Sequence, residues 1–105
     1  MKIFISDSAY ADLESIIDYY TKKGVSHIGE QFVTSIIKHI ETIPANPDIG
    51  RKVPEFNSEQ IRELIHVPYR VVYLREDKSI RVIRVWRSER VLDLKDTPVG
   101  IKPKT

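Results

Sequence analysis

The sequence predicts one α+β domain of order β-α-α-β-β-β, with a helical hairpin packed on a twisted, largely antiparallel sheet. Three observations predict it. Apolar residues recur every three or four positions through the first half of the chain, and branched or aromatic residues dominate short runs in the second half. Helices and consecutive strands are also segregated, which is the arrangement of an α+β sandwich.

Lys2 to Ile5 carries Ile3, Phe4 and Ile5 and suits a strand. Ser6 or Asp7 supplies an N-cap oxygen for a first helix, along which Tyr10, Leu13, Ile16, Ile17 and Tyr20 share a face until about Gly24. Ser26 is the expected cap of a second helix, whose stripe of Ile28, Phe32, Val33, Ile36, Ile37, Ile40 and Ile43 is stopped by Pro44, Pro47 and Gly50. The short link between two apolar stripes argues for antiparallel packing of the helices.

A loop through Pro54 and Phe56 leads to a strand from Ile61 to His66. Val67 and Pro68 make a turn into Tyr69 to Arg75, and Glu76 to Ser79 a polar turn into Ile80 to Arg87. Strict alternation places Arg70, Val72 and Leu74 opposite Tyr69, Val71 and Tyr73 across the second of these strands. In the last strand it sets Arg81, Ile83, Val85 and Arg87 against Ile80, Val82, Arg84 and Trp86. One face then packs, and the other is partly aromatic and partly arginine-lined. The expected domain is 1–94, with 95–105 a tail that carries Pro98, Gly100 and Pro103.

Composition bounds the function. The 105 residues, 41% of them hydrophobic, suit a single domain with a modest core. There is no cysteine, which removes disulfides, thiolate metal sites and cysteine nucleophiles. Asp7 interrupts the apolar start and no small-residue cleavage site follows, so no secretory signal is expected. No run reaches the roughly 18 apolar residues of a membrane-spanning helix. A cytoplasmic protein without a membrane role is the expectation.

Charge is polarised along the chain. Met1 to Gly50 holds four Lys or Arg against seven Asp or Glu, whereas Arg62 to Arg90 holds eight against four. A basic sheet of this kind can meet phosphate or an acidic protein partner.

No P-loop, GxGxxG, HExxH or GxSxG motif is present. His27, His39 and His66 are scattered and lack metal-ligand spacing, so neither a metal nor a cofactor is expected. The candidate chemistry is arginine-centred: Arg62, Arg70, Arg87 and Arg90 could hold phosphate through paired guanidinium donors, with Glu55 as a carboxylate base. Trp86 could stack on a base or contact a target, as could Tyr73, although core filling is the commoner role for each.

The succession SDSAYADLESIIDYY, NPDIGRKVPEF, RELIHVPYRVVY and IRVIRVWRSER resembles the RelE/ParE superfamily of bacterial toxins from type II toxin–antitoxin modules, over about residues 2 to 92. The resemblance implies a cytoplasmic growth inhibitor of a plasmid stabilisation system, neutralised by a cognate antitoxin. ParE-like members poison DNA gyrase, whereas RelE-like members are metal-independent endoribonucleases that cut mRNA on the ribosome. Glu55 and Arg70 match catalytic positions of the RNase side. The place where those enzymes carry a terminal-strand histidine reads Val85, Trp86, Arg87, Ser88, and the helix pattern and PDIGR turn favour the ParE-type branch. A non-toxic binding module is the third expectation.

Overall fold

The computed structural model describes residues 1–56 and 58–88. Arg90 and the 95–105 tail lie outside them. The elements are β1 (Lys2–Ile5), α1 (Asp7–Lys22), α2 (Ser26–Ile40), a single 3-10 turn (Ile43–Ala45), β2 (Arg51–Lys52), β3 (Ile61–His66), β4 (Tyr69–Arg75) and β5 (Ser79–Arg87). The sheet order is β1-β5-β4-β3-β2. All pairs are antiparallel except β1 with β5, so the sheet is mixed.

Ser6 joins β1 to α1 with one side chain. Its backbone is extended and its Oγ accepts from the Ala9 amide at 3.1 Å, which satisfies a free donor of the first turn. The same hydroxyl donates to the Ile83 carbonyl at 3.1 Å, tying the helix start to β5. The second cap departs from expectation. Val25 occupies the N-cap of α2 without a side-chain bond, and Ser26 is already the first helical residue.

Ala9, Leu13 and Ile16 form the buried stripe of α1, while Tyr10, expected on that stripe, is 55% exposed. Ala9, one position earlier, takes the buried place expected of Tyr10, while Leu13 and Ile16 keep theirs. Against α1 packs Gly29 of α2. A Cβ there would come within 3.0 Å of the Ile17 Cα, so glycine permits the close approach of the two helices. The helix itself stops at Ile40, yet Ile43 stays fully buried through the 3-10 turn, where Pro44 needs no amide donor.

The main core lies between the helices and one sheet face, with Leu64, Tyr69, Val71, Tyr73, Ile80, Val82 and Val85 on the sheet side. Tyr20 stacks on Phe32 at 5.6 Å between ring centres, and Phe32 meets Tyr69 edge-on at 5.4 Å. Ile80, Val82 and Val85 cannot share a face under strict alternation. Tyr73 is opposite Val82 while Val72 is opposite Arg84, so Ile83 is an extra residue and β5 bulges. That bulge corrects the predicted faces. Beyond it Val85 turns to the helices, and Arg84 and Trp86 turn to the open face.

Two further differences concern the middle of the chain. Arg51 and Lys52, expected in a loop, pair with Glu63 and Arg62 as an edge strand. Two residues are too few to show periodicity. The other sheet face is also more buried than an exposed arginine row: Arg70, Val72 and Glu63 are each about as inaccessible as the main core, with Val53 beside them. Among the described residues no helix is long and apolar enough to cross a membrane.

Candidate functional site

A chain of charged and aromatic groups crosses the open face from β2 to α1. Hairpin register creates its centre. The tight turn pairs His66 with Tyr69, hence Ile65 with Arg70 and Glu63 with Val72, which sets Glu63 and Arg70 diagonally on one face. Arg70 Nη2 lies 2.7 Å from Glu63 Oε1, and the two side chains are 2% and 1% exposed. Arg51 Nε donates to the other oxygen of Glu63 from β2. Glu55, on the loop after β2, receives Arg70 Nη1 at 3.4 Å.

The chain continues through the indole. Arg70 stands 5.7 Å from the Trp86 ring centre and Arg84 stands 4.9 Å from it, so Trp86 is held between two guanidinium groups. Arg84 then donates Nε and Nη2 to Asp12 of α1 at 2.8 and 2.9 Å. That pairing raises the arginine's already high pKa. Every positive group in this row faces a carboxylate or a ring. Arg70 carries the same burden as any buried ion: neither its Nε nor its Nη2 makes a hydrogen bond among the described residues, so Nη2 meets Glu63 as an ion pair and the charge rests on Glu63 and Glu55.

The remaining candidates lie elsewhere. Arg62 sits on the opposite face from Arg70. Its Nη1 donates to the Gly50 carbonyl at 3.0 Å, its Nε to the Glu59 carbonyl at 3.1 Å, and Asp48 and Glu59 supply counter-charge. Tyr73 is fully buried, which removes it from any target-contacting surface: its hydroxyl donates to the Pro47 carbonyl at 2.8 Å and accepts from the Gly50 amide at 3.0 Å. Together Arg62 and Tyr73 clamp the PDIGR turn. Gly50 is required there because a Cβ would lie 2.7 Å from the Glu63 carbonyl and 2.8 Å from the Tyr73 ring.

Arg87 lies over the Tyr69 ring, 5.6 Å from its centre. Burial and the Tyr20 hydroxyl push Tyr69 up to about 12, against the opposing pull of Arg87. Arg84, Trp86 and Arg87 border, with Asp12, Tyr19 and Tyr69, a cleft of 550 Å³ between α1 and the end of β5.

The structure therefore brings Glu55, Arg70 and Trp86 together, leaves Arg62 on the other face, and buries Tyr73. Sequence reasoning missed Glu63, although the hairpin register held that signal. It missed Asp12 because nothing local announces a partner 72 positions away from Arg84. It also treated the histidines as scattered. His27 is exposed, but His39 and His66 meet with their Nδ1 atoms 2.9 Å apart. Burial, and then His39, lower the His66 pKa.

A helical hairpin on one face of a five-stranded mixed sheet, with an ion-paired row on the other, defines a two-layer α+β fold. In fold the chain is similar to one from the chromosomal ParDE TA system of P. aeruginosa, with a TM-score of 0.70 and 21% identity over 83% of this chain and 95% of that one. No curated protein matches it. The family model described as the ParE toxin of type II toxin-antitoxin system, parDE, matches residues 3–92, and the chain belongs to that family.

Proposed function

We propose that this protein is the growth-inhibiting component of a type II toxin–antitoxin module, active in the cytoplasm on DNA gyrase and silenced by a cognate antitoxin protein. Family membership over residues 3–92 carries the reading. The pairing of the arginines supports gyrase binding over RNA cleavage. A phosphate-holding arginine must offer its donors to substrate, whereas Arg70 is committed to Glu63 and Glu55 and Arg62 is turned to the other face. The solvent-facing parts of Trp86 and Arg84 remain for a protein target.

One observation favours the endoribonuclease as a second reading: Glu55 and Arg70, which match its catalytic positions, are in contact at 3.4 Å. In that mechanism RNA would displace Glu55 from Arg70, leaving the carboxylate free as a base and the guanidinium free for phosphate. The two readings separate cleanly. Induced without its antitoxin, the protein is expected to provoke DNA-damage signalling in cells and to inhibit supercoiling by purified gyrase, with bulk mRNA intact. Codon-positioned mRNA cuts with unimpaired supercoiling would overturn the gyrase reading.

A further inference from the structure

Ser35 and His39 lie one turn apart on α2 and face His66 at the end of β3. Ser35 Oγ is 3.0 Å from the Phe32 carbonyl and 3.0 Å from His66 Nε2. A carbonyl only accepts, and a hydroxyl has one proton to give. Ser35 therefore donates to Phe32 and accepts from His66 Nε2–H. A neutral His66 is left with a bare lone pair on Nδ1, directed at His39 Nδ1 at 2.9 Å, so His39 must donate through Nδ1–H. The relay fixes the tautomer of both rings and leaves two imidazole nitrogens converging at a partly exposed joint between helix and sheet.

We propose that His39 and His66 form a two-nitrogen site for a zinc-like divalent transition cation, with water completing the coordination and α2 thereby pinned to the end of β3. Metal–nitrogen bonds of about 2.0–2.1 Å at a tetrahedral angle set the two nitrogens about 3.3 Å apart and the ring centres about 5 Å apart. The rings are already 5.1 Å apart between centres, so they turn nearly in place as the nitrogens separate from 2.9 Å. His66 needs no change of tautomer. Its Nε2–H stays on Ser35, the orienting partner that metal-binding histidines usually have. His39 loses its Nδ1 proton to water and takes one up at Nε2, so the neutral pair binds the cation without net proton release. Among the described residues no group of three or more His, Cys, Asp or Glu side chains could hold a metal, which makes this a modest-affinity, open site.

The test uses the full chain, stripped with chelator and desalted, then titrated with zinc chloride by calorimetry and followed by thermal melting, with magnesium as the control cation. One zinc ion per chain and a rise in Tm with zinc but not magnesium are expected. His39→Gln should weaken binding by at least about ten-fold, and Ser35→Ala by about ten-fold through lost orientation. A long-range proton–nitrogen spectrum of the unsubstituted protein needs no variant to fold, and should show zinc shifting the Nδ1 signals of His39 and His66. Absence of heat and of any Tm change overturns the proposal. So does a shift confined to His27, or undiminished binding by His39→Gln.

Discussion

Asp12 holds Arg84 through both carboxylate oxygens, and one of those oxygens also accepts the Val85 amide at 2.8 Å. This single side chain substitutes for a strand. β1 pairs with β5 only as far as Val82, so the outer edge of β5 beyond the bulge would otherwise present an unpaired donor. The helix thus closes the sheet edge with a charge.

From that geometry the two partners should respond unequally. Asp12→Ala removes a half-buried acceptor from both a guanidinium and an amide, and should lower the unfolding free energy by about 1–3 kcal/mol. Arg84→Ala should cost less than about 1 kcal/mol, because Arg84 is 40% exposed and its Coulomb gain is screened. Urea denaturation of both variants checks the ranking. Equal losses would mean that the Val85 bond contributes nothing.

Arg70 poses a different question, because loss of toxicity on its removal can have two causes. Arg70→Ala leaves Glu63, 1% exposed, with Arg51 as its remaining partner on one oxygen, and breaking a buried pair of this kind typically costs up to about 3–5 kcal/mol. Replacing both members, as Arg70→Met with Glu63→Leu, removes the pair together and should recover most of that loss. Denaturant midpoints measure the recovery, and growth arrest by the folded double variant measures function. Retained arrest rules out Arg70 as a phosphate-holding catalytic residue; lost arrest with a recovered midpoint favours the endoribonuclease.

Why the fold was legible and the site less so follows from the same residues. Leu13, Ile16, Ile36 and Ile40 repeat at helical spacing, and the tight turns between β3, β4 and β5 fix neighbouring strands by local chemistry. The bulge at Ile83 has no local signature. It inserts one residue into a run of branched side chains that would pair equally well without it, and so the faces of Arg84, Val85, Trp86 and Arg87 could not be read in advance. Burial of Arg70 was equally hidden, since it depends on Glu63 from the neighbouring strand and Glu55 from a loop. Sequence could show that arginines were numerous, but pairing is a tertiary property.

Gly50 makes a sharper demand on its neighbours than its position in a turn suggests. An alanine methyl would press on the Glu63 carbonyl at 2.7 Å and the Tyr73 ring at 2.8 Å, neither of which can retreat from a fully packed layer. Gly50→Ala should therefore cost about 1–3 kcal/mol, and it should loosen the Tyr73 bonds to Pro47 and Gly50 as the turn shifts. Urea denaturation gives the first quantity. The second is read as faster exchange of the backbone amide at position 50, corrected for the intrinsic rate of the new residue, and unchanged protection would place the strain elsewhere.

Alkaline pH should destabilise the fold through two phenols. Tyr69 is raised to about 12, first by burial and then by Tyr20, and Tyr73 is raised by burial against the opposing Gly50 amide. Both shifts favour the neutral form in the folded protein. Their contribution is complete below an unfolded tyrosine pKa of about 10, and it is lost as pH rises from there toward the folded values, because the unfolded chain releases protons that the folded chain retains. Near pH 11, added urea should therefore increase phenolate absorbance as the two buried rings ionise on unfolding. Tyr69→Phe should flatten the fall of the urea midpoint across this interval. If phenolate absorbance at that pH is the same before and after unfolding, Tyr69 and Tyr73 are not held neutral by the core.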